Sequence, residues 1–176
     1  MKQNNLLISI VCPDKPGLIS AITGTLYELG VNLGDTTFTI LGEGAEFSAV
    51  CESPADLQAD ELAEQLKALE DLNGAEVTVR PFGYATTHKI SDSITHHIIL
   101  QGQDQPGLIA RMTEVFADYE ANIVRMDSKK LSGGNEARYL IQLWVSIPES
   151  RTDACLATVT NTAAVLDMQS NWAAID

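Results

Sequence analysis

Two stretches of the sequence decide the fold, because they repeat each other. Residues 12–32 read CPDKPGLISAITGTLYELGVN, and residues 102–122 read GQDQPGLIARMTEVFADYEAN. An offset of 90 residues aligns the positions that they share. The aligned pairs are Asp14 with Asp104, Pro16 with Pro106, Gly17 with Gly107, Leu18 with Leu108, Ile19 with Ile109 and Asn32 with Asn122. The same loop and helix occur twice, which predicts two domains in a chain of 176 residues.

Each half contains the same order of predicted elements, βαββαβ. Apolar residues at helical spacing predict a helix after each Pro-Gly pair, and a leucine stripe predicts a further helix that ends at Asn73-Gly74. Glycine-rich turns at 42–44 and 132–135 predict a hairpin in each half. The strands are predicted at 5–11, 31–41, 45–52 and 75–82 in the first half, and at 95–102, 122–131, 139–147 and 167–175 in the second, where a helix is predicted near 151–164.

Two interleaved βαβ crossovers predict a split-βαβ, ferredoxin-like sandwich of the α+β class. In this fold an antiparallel sheet of four strands carries both helices on one face. We expect one such domain at residues 1–82 and another at 93–176, joined by a polar linker at 83–92. Pro16 and Pro106 are predicted in the first turn of their helices, where a missing amide hydrogen costs little.

The second face of such a sheet carries no helix and must meet water or a partner. Leu140 and Trp144 have the strand parity opposite to that of Ile141 and Val145, which are predicted to lie in the core. Trp144 is therefore the predicted interface residue of this face, although a single exposed aromatic residue is also an ordinary finding.

The composition favours a globular protein and opposes a membrane-spanning or nucleic-acid-binding one. With 45% hydrophobic residues and a mean hydropathy of +0.01, the sequence is typical of a globular protein, and it has no membrane-spanning run. Its short apolar N-terminal run lacks a cleavage signal, so a cytoplasmic location is expected. The net charge of −13 and the 11 basic residues, which form no run, oppose direct contact with nucleic acid.

The residues that most often carry catalysis or bind metals form no convincing set. The three cysteines, Cys12, Cys51 and Cys155, are too widely spaced for a disulfide framework or a metal motif, and we expect buried, reduced thiols. His96 and His97 point to opposite faces of a strand, so the pair cannot chelate one ion, and only His88 remains. We therefore predict no catalytic residue, no metal site and no cofactor.

The repeated loop suits a free amino acid. Amides in the first turn of a helix lack partners and favour a carboxylate, and Gly17 or Gly107 allows close approach to the backbone. Asp14 or Asp104 could accept from an ammonium group, and Asn32 or Asn122 offers both a donor and an acceptor. The same residues could instead only cap helices and shape turns, and the residue pattern alone leaves both interpretations open.

A resemblance extends this interpretation. The motifs DKPGL and DQPGL after a strand, with a helix and then an Asn at the start of the next strand, resemble the ACT domain, a regulatory module that binds amino acids. Two such modules with almost nothing else resemble the glycine cleavage system transcriptional repressor family. The resemblance implies ligand binding near the loops, at an interface between two modules. It points to Asp14, Pro16, Gly17, Leu18, Asn32, Asp104, Pro106, Gly107, Leu108 and Asn122.

Four functional classes are weighed. The resemblance implies a regulator that senses a small amino acid, glycine or serine first, and represses transcription through a partner transcription factor. A structural module without a ligand and a regulatory subunit of a metabolic enzyme are the alternatives, while a small enzyme is opposed by the lack of a nucleophile and base. The oligomeric state stays open, with a homodimer among the alternatives.

Overall fold

The computed structural model describes residues 4–86, 93–131 and 138–175, and it confirms the α+β, ferredoxin-like fold in each half of the chain. The chain divides into two compact units, residues 1–87 and 88–176. Part of the predicted linker, residues 87–92, lies outside the described residues, and so does the predicted turn at 132–135. No helix in the described ranges has the length and apolar character that a membrane crossing requires.

The first unit forms one antiparallel sheet in the order β2-β3-β1-β4. The apolar residues of one parity on each strand turn toward both helices, and Ile8, Ile10 and Phe47 are almost completely buried there. The elements are β1 (Asn4–Pro13), α1 (Leu18–Glu28), β2 (Asn32–Leu41), β3 (Gly44–Ser53), α2 (Ala59–Lys67) and β4 (Glu76–Pro81).

The second unit repeats this arrangement, with its sheet in the order β6-β7-β5-β8. Its core includes Leu100, Phe116 and Leu143, which have no exposed surface. The predicted helix near 151–164 is present. The elements are β5 (His96–Gln103), α3 (Leu108–Asp118), β6 (Asn122–Leu131), β7 (Arg138–Ser146), α4 (Thr152–Val165) and β8 (Met168–Ala174).

The predicted helix along the leucine stripe is shorter than expected. Helix α2 ends at Lys67, and a separate 3₁₀ turn covers Glu70–Leu72. Leu69 lies between them with an extended backbone, at φ −66° and ψ 127°, and this break lets Leu72 reach the core. The predicted stop at Asn73-Gly74 is instead the turn into β4, where Gly74 has a φ of 80°.

The predicted position of the two prolines, inside the first helical turn, was also wrong. Helix α1 begins at Leu18 and α3 at Leu108, so Pro16 and Pro106 lie in the turn before each helix. A glycine separates each proline from the helix and has a left-handed backbone, which L-residues with side chains rarely adopt. The proline therefore shapes the turn and does not form part of the first helical turn.

Candidate functional site

The two Pro-Gly loops have nearly the same backbone. Gly17 has φ 87° and ψ −8°, and Gly107 has φ 88° and ψ 0°. A Cβ atom at either position would have no neighbour within 4 Å, so the requirement for glycine comes from the backbone conformation and not from a lack of space. The buried Leu18 and Leu108 then anchor the start of each helix in the core.

Each loop presents unused amides to solvent. No backbone acceptor within the described ranges pairs with the amides of Ile19 and Ser20, whereas the amide of Ala21 donates to the Gly17 carbonyl at 3.0 Å. Ser20 is exposed, as is 43% of Ile19. These groups add to the positive end of the helix dipole, and together they can receive a carboxylate.

Asp14 does not cap the helix that follows it. Gly17 is the N-cap of α1, and no side chain caps it by a hydrogen bond. The amide of Asp14 donates to the carbonyl of Glu43 at 3.2 Å, which ties the loop to the β2–β3 hairpin. Its carboxylate is exposed and, among the described residues, forms no ion pair, since the neighbouring Lys15 pairs with Asp71 at 2.8 Å. Asp14 is thus an available anionic acceptor.

Asp104 occupies the matching position in the second loop, but its carboxylate already has a partner. Its Oδ2 lies 2.8 Å from Nζ of Lys130. The hydrogen bond and the charge of Asp104 raise the pKa of Lys130, because both favour the charged ammonium. The loop is further held by Gln105, whose Nε2 donates to the Leu166 carbonyl at 2.8 Å. The Lys130 ammonium therefore occupies the acceptor that a ligand ammonium would use.

A small groove accompanies the second loop. Its volume is ≈ 170 Å³, and its lining includes Asp104, Gly107, Ile109, Lys130 and Tyr139. At the position of Lys130 the first unit has Ile40, because both residues precede the end of the second strand of their unit by one residue. This charge difference was missed in the sequence, although the 90-residue offset applied to the two strands would have found it.

Asn32 and Asn122 lie far from the loop of their own unit. Asn32 pairs with Glu52, which also pairs with Asn5, whereas Pro13 pairs with Gly44 at the other end of the sheet. At about 3.3 Å per residue, the chain from Asn5 to Asp14 separates the two ends by roughly 25 to 30 Å.

The same arrangement holds in the second unit. Asn122 pairs with Ser146, whereas Gly102 pairs with Tyr139 beside Lys130. One unit therefore brings together the aspartate, proline, glycine and leucine of its loop but not its asparagine. A site that contains both groups needs the loop of one module and the asparagine of another.

The cysteines behave as packed thiols. All three are free and buried, as predicted. Burial raises the pKa of Cys12 and of Cys155, and it raises the pKa of Cys51 to about 11. Because the thiolate is the nucleophilic form, these pKa shifts oppose catalysis by any of them at neutral pH.

Gly102 replaces Cys12 in the second unit because a side chain would not fit there. Strand β8 extends far enough to place Met168 opposite Gly102. A Cβ atom on Gly102 would lie 2.8 Å from the Asp167 carbonyl oxygen and 3.0 Å from the Met168 Cα. In the first unit β4 ends its pairing at Glu76 opposite Val11, which leaves room for the Cys12 side chain.

The adjacent histidines lie on opposite faces of β5. His96 is buried, shares a hydrogen bond with the Thr95 hydroxyl at 3.0 Å, and meets the Trp172 ring edge to face. His97 stacks on Trp144, with the ring centroids 4.4 Å apart. His88 lies outside the described residues. The described part of the chain contains no group of His, Cys, Asp and Glu that could hold a metal ion.

Trp144 is on the helix-free face, as its strand parity predicts, but it is only partly exposed. The Arg125 guanidinium lies 4.6 Å from the centroid of its ring, and His97 stacks against it. Arg125 also pairs with Asp127 at 2.8 Å. The cross-strand neighbours thus cover much of the indole, so the role of Trp144 as an interface residue stays a prediction.

Comparison with known proteins identifies a family model and two relatives. Residues 6–71 match the family model of the ACT domain. The glycine cleavage system transcriptional repressor of Escherichia coli (strain K12) is 28% identical over 152 residues, which cover 84% of this chain and 77% of the relative. The protein of the same description from Shigella flexneri matches with the same identity and coverage.

Solved structures extend the match to both units. The crystal structure of an unknown protein from Galdieria sulphuraria superposes with a TM-score of 0.76 at 15% identity, over 99% of this chain and 100% of that one. A protein provisionally described as a glycine cleavage system transcriptional repressor gives a TM-score of 0.71 at 14% identity, over 100% and 99% of the two chains. These identities show the fold. Residues 6–71 thus match the ACT domain, the second unit repeats the fold of the first, and the chain is similar to the glycine cleavage system transcriptional repressors.

Proposed function

We propose that this protein is an amino-acid-responsive regulator that binds a small free amino acid, glycine or serine first, at the loop of its first unit. The observation that carries the proposal is the exposed carboxylate of Asp14, which forms no ion pair among the described residues. The same loop leads to the amides of Ile19 and Ser20, for which the described ranges contain no backbone acceptor. The proposal takes its regulatory role from the similarity to the glycine cleavage repressors.

The chemistry of the loop matches a zwitterion. The ligand carboxylate would accept from the amides of Ile19 and Ser20, where the helix dipole is positive. The ligand ammonium would donate to Asp14, which forms a charge-assisted hydrogen bond. Because Gly17 carries no side chain and has open space around it, the backbone is accessible to the ligand.

The first loop is better able than the second to accept the ammonium group of a ligand. In the second loop, Lys130 already holds the carboxylate of Asp104 at 2.8 Å, so a ligand ammonium would have to displace it. The first unit has the uncharged Ile40 at that position. We therefore assign the amino-acid site to the first loop and regard Pro106, Gly107 and Leu108 as residues that retain the backbone shape.

Asn32 would join the site from a second module. Strand β2 is an edge strand, and its start and end lie at opposite ends of the sheet. Antiparallel pairing of β2 with the equivalent strand of another module would place the asparagine of one near the loop of the other. The ligand would then contact Asp14 and an asparagine that belong to different modules.

The signal is proposed to pass to a transcription factor and not directly to DNA. The net charge of −13 opposes approach to phosphates, and two basic residues of β6, Arg125 and Lys130, are paired with Asp127 and Asp104. The purified protein should therefore not shift duplex DNA at physiological salt. A shift by the protein alone would contradict this step of the proposal.

Calorimetric titration with glycine and serine tests the ligand directly. N-acetylglycine, which lacks the ammonium group, and glycinamide, which lacks the carboxylate, serve as controls because the proposed site needs both charges. At 100 times its dissociation constant, a true ligand should raise the free energy of unfolding by about 2.7 kcal/mol. Equal binding of the two control compounds would reject the zwitterion site, and no heat with any amino acid would favour the ligand-free module.

A further inference from the structure

The first unit has a groove at the end of α1 that is remote from the Pro-Gly loop. Its volume is ≈ 320 Å³. Helix α1 extends from Leu18 to Glu28, so at 1.5 Å per residue roughly 16 Å separates Gly17 from this end of the helix. The groove is therefore separate from the proposed amino-acid site. It is lined by Glu28, Leu29, Pro54, Asp56, Leu57 and Glu61.

Half of this lining is apolar and half is acidic. Leu57 is buried, and Leu29 and Pro54 are half-buried, so together they form an apolar floor. The remaining three lining residues are exposed and carry carboxylates: Glu28, Asp56 and Glu61. An apolar floor with an anionic rim suits a long side chain that has an apolar stem and a cationic head.

The three carboxylates of the groove are not neutralised by the chain itself. None of them forms an ion pair with a described residue. Nearby acidic residues differ, since Lys67 pairs with Glu64 at 3.0 Å and Lys15 pairs with Asp71 at 2.8 Å. The groove also lies at the C-terminal end of α1, where the helix dipole is negative and favours a cation.

The equivalent corner of the second unit contains an arginine. Leu57 and Arg151 are equivalent, because each donates its amide to the carbonyl of the proline three residues before it, at 3.1 and 2.9 Å. Gly30 and Glu120 are equivalent by the 90-residue offset, and both have a left-handed backbone, with φ 72° and 54°. A Cβ atom on Gly30 would lie 3.5 Å from Pro54, a lining residue of the groove. In the second unit, Arg151 donates to Glu120 at 3.0 Å.

A tyrosine occupies a further position of this corner in the second unit. Tyr119 is equivalent to Leu29 by the same offset, and its hydroxyl shares a hydrogen bond with the Thr158 hydroxyl at 2.7 Å. The first unit lacks both the tyrosine and the arginine. It has instead an open groove with unpaired carboxylates.

We propose that this groove binds an arginine side chain of a partner protein. A guanidinium carries five N–H donors in a planar fork, so it can reach carboxylates on different sides of the groove, and its stem can pack on Leu29 and Leu57. A metal ion would need ligands that converge on one point, and the described ranges contain no such group of His, Cys, Asp and Glu. The contact between Arg151 and Glu120 supplies the pattern for this binding within the same molecule.

The inference rests on the proposed function in one respect, the existence of a protein partner. A transcription factor must present arginine and lysine residues in order to approach DNA phosphates. Its charge is therefore complementary to this groove and to a chain with a net charge of −13. Arginine is also enriched among the residues that dominate binding at protein interfaces.

Two-dimensional ¹⁵N–¹H NMR of the full chain tests the proposal with a defined probe, the acetylated peptide amide ALRLA. The amide signals of Leu29, Leu57 and Glu61 should shift as the peptide is added. The same peptide with citrulline in place of arginine is the control, because citrulline has nearly the same shape and no charge, and it should bind at least tenfold more weakly. No amino acid is added, so a failure of glycine to bind would not affect this result.

A matched pair of variants tests whether the groove itself is responsible. Asp56→Asn/Glu61→Gln should weaken binding of the arginine peptide at least tenfold. Asp60→Asn/Glu70→Gln removes the same charge from the same unit outside the groove, and it should change the affinity less than threefold. Each pair includes one acidic residue of the first turn of α2, so the two variants lose similar support for that helix.

Circular dichroism of both variants reports whether the fold is retained, and Glu61→Gln alone replaces the groove variant if that one unfolds. The proposal is overturned if the wild type does not bind the arginine peptide, if the citrulline peptide binds equally well, or if the two variants lose affinity equally. Shifts of the groove signals on concentration of the protein alone would identify a second copy as the occupant, which would also overturn it.

Discussion

The loops of the two units have the same backbone and different chemistry. Gly17 and Gly107 differ by one degree in φ, and each precedes a helix of 11 residues. Yet the carboxylate of Asp14 is exposed and has no ion-pair partner in the described ranges, whereas Asp104 pairs with Lys130 at 2.8 Å. The difference comes from a neighbouring strand and not from the loop itself.

This comparison separates what the fold requires from what a ligand requires. Glycine before the helix and leucine at its start serve the backbone and the core in both units, so their repetition says little about binding. The aspartate is also repeated, but its partner is not. A duplicated motif thus retains its shape after one copy has changed its charge, and the neighbouring strand decides which copy can bind.

The largest expected effect comes from exchange of Cys12 and Gly102, the equivalent residues just before the two loops. Gly102→Cys places a Cβ atom 2.8 Å from the Asp167 carbonyl oxygen, and backbone atoms cannot move aside easily. We expect the free energy of unfolding of the second unit to fall by about 2 to 3 kcal/mol. Urea denaturation followed by tryptophan fluorescence measures this, because both tryptophans, Trp144 and Trp172, lie in that unit.

Cys12→Ala is the control for this exchange. It removes only the sulfur of a buried side chain, so we expect the free energy of unfolding of the first unit to fall by about 1 kcal/mol. Urea denaturation followed by circular dichroism measures this change. If Gly102→Cys were as stable as the wild type, the close approach of β8 would not be the reason for glycine at this position.

The second effect concerns ligand affinity at the two aspartates. Asp14→Ala removes one partner of a charge-assisted bond, which typically costs about 1.5 to 3 kcal/mol, so glycine or serine should bind roughly tenfold more weakly or worse. Asp104→Ala should leave the affinity unchanged, because Lys130 already occupies that carboxylate. Isothermal titration calorimetry on both variants gives the comparison.

Circular dichroism supplies the folding control for these two variants, and neither aspartate forms a helix cap whose loss would confuse the result. Equal weakening by Asp14→Ala and Asp104→Ala would show two equivalent sites. Unchanged affinity in both folded variants would move the site away from the repeated loops.

A smaller effect is expected from exchange of the neighbouring strand residues. Lys130→Ile gives the second unit the residue of the first and frees Asp104. We expect calorimetry to detect additional, weaker binding of the amino acid to the second loop. The reciprocal variant Ile40→Lys should weaken the first site, because the new ammonium can pair with Asp14. If neither exchange changed binding, the strand residue would not control access to the loop.

Much of the fold was predictable because its causes are local. The repeated Asp-x-Pro-Gly-Leu motif, the alternating strands and the leucine spacing predict each element and the order βαββαβ. Helix α2 was predicted too long, because the extended backbone of Leu69 interrupts a stripe whose spacing continues unchanged to Leu72. Pro16 was placed in the helix because the need for a left-handed glycine between proline and helix is a property of the turn.

The site was less predictable because it depends on contacts between strands. The sequence identifies the loop residues but does not show that Asn32 lies level with Asn5, at the far end of the sheet. That position follows from strand direction, since β1 and β2 both run antiparallel to β3. The pairing of Asp104 with Lys130 likewise joins residues that only the sheet brings together.

The smallest expected effect is a dependence of stability on pH. It concerns the first core position of strand β5 and the equivalent position of β1. His96 in β5 occupies the position of Leu6 in β1, and it is buried. Burial lowers the pKa of His96, because the charged ring loses its hydration. The unfolded chain, with an ordinary histidine pKa near 6.5, therefore binds more protons than the folded chain as pH falls through that value.

The stability of the second unit should accordingly decrease as the pH falls below about 6.5. His96→Leu, which introduces the residue of the first unit, should abolish this part of the decrease. Urea denaturation followed by tryptophan fluorescence at pH 7.5 and 5.5 measures the change in the second unit alone. The ring also contacts Trp172 and the Thr95 hydroxyl, so the variant can change the stability at both pH values. The decisive quantity is the difference between the two pH values, and an equal difference in wild type and His96→Leu would show that another group titrates.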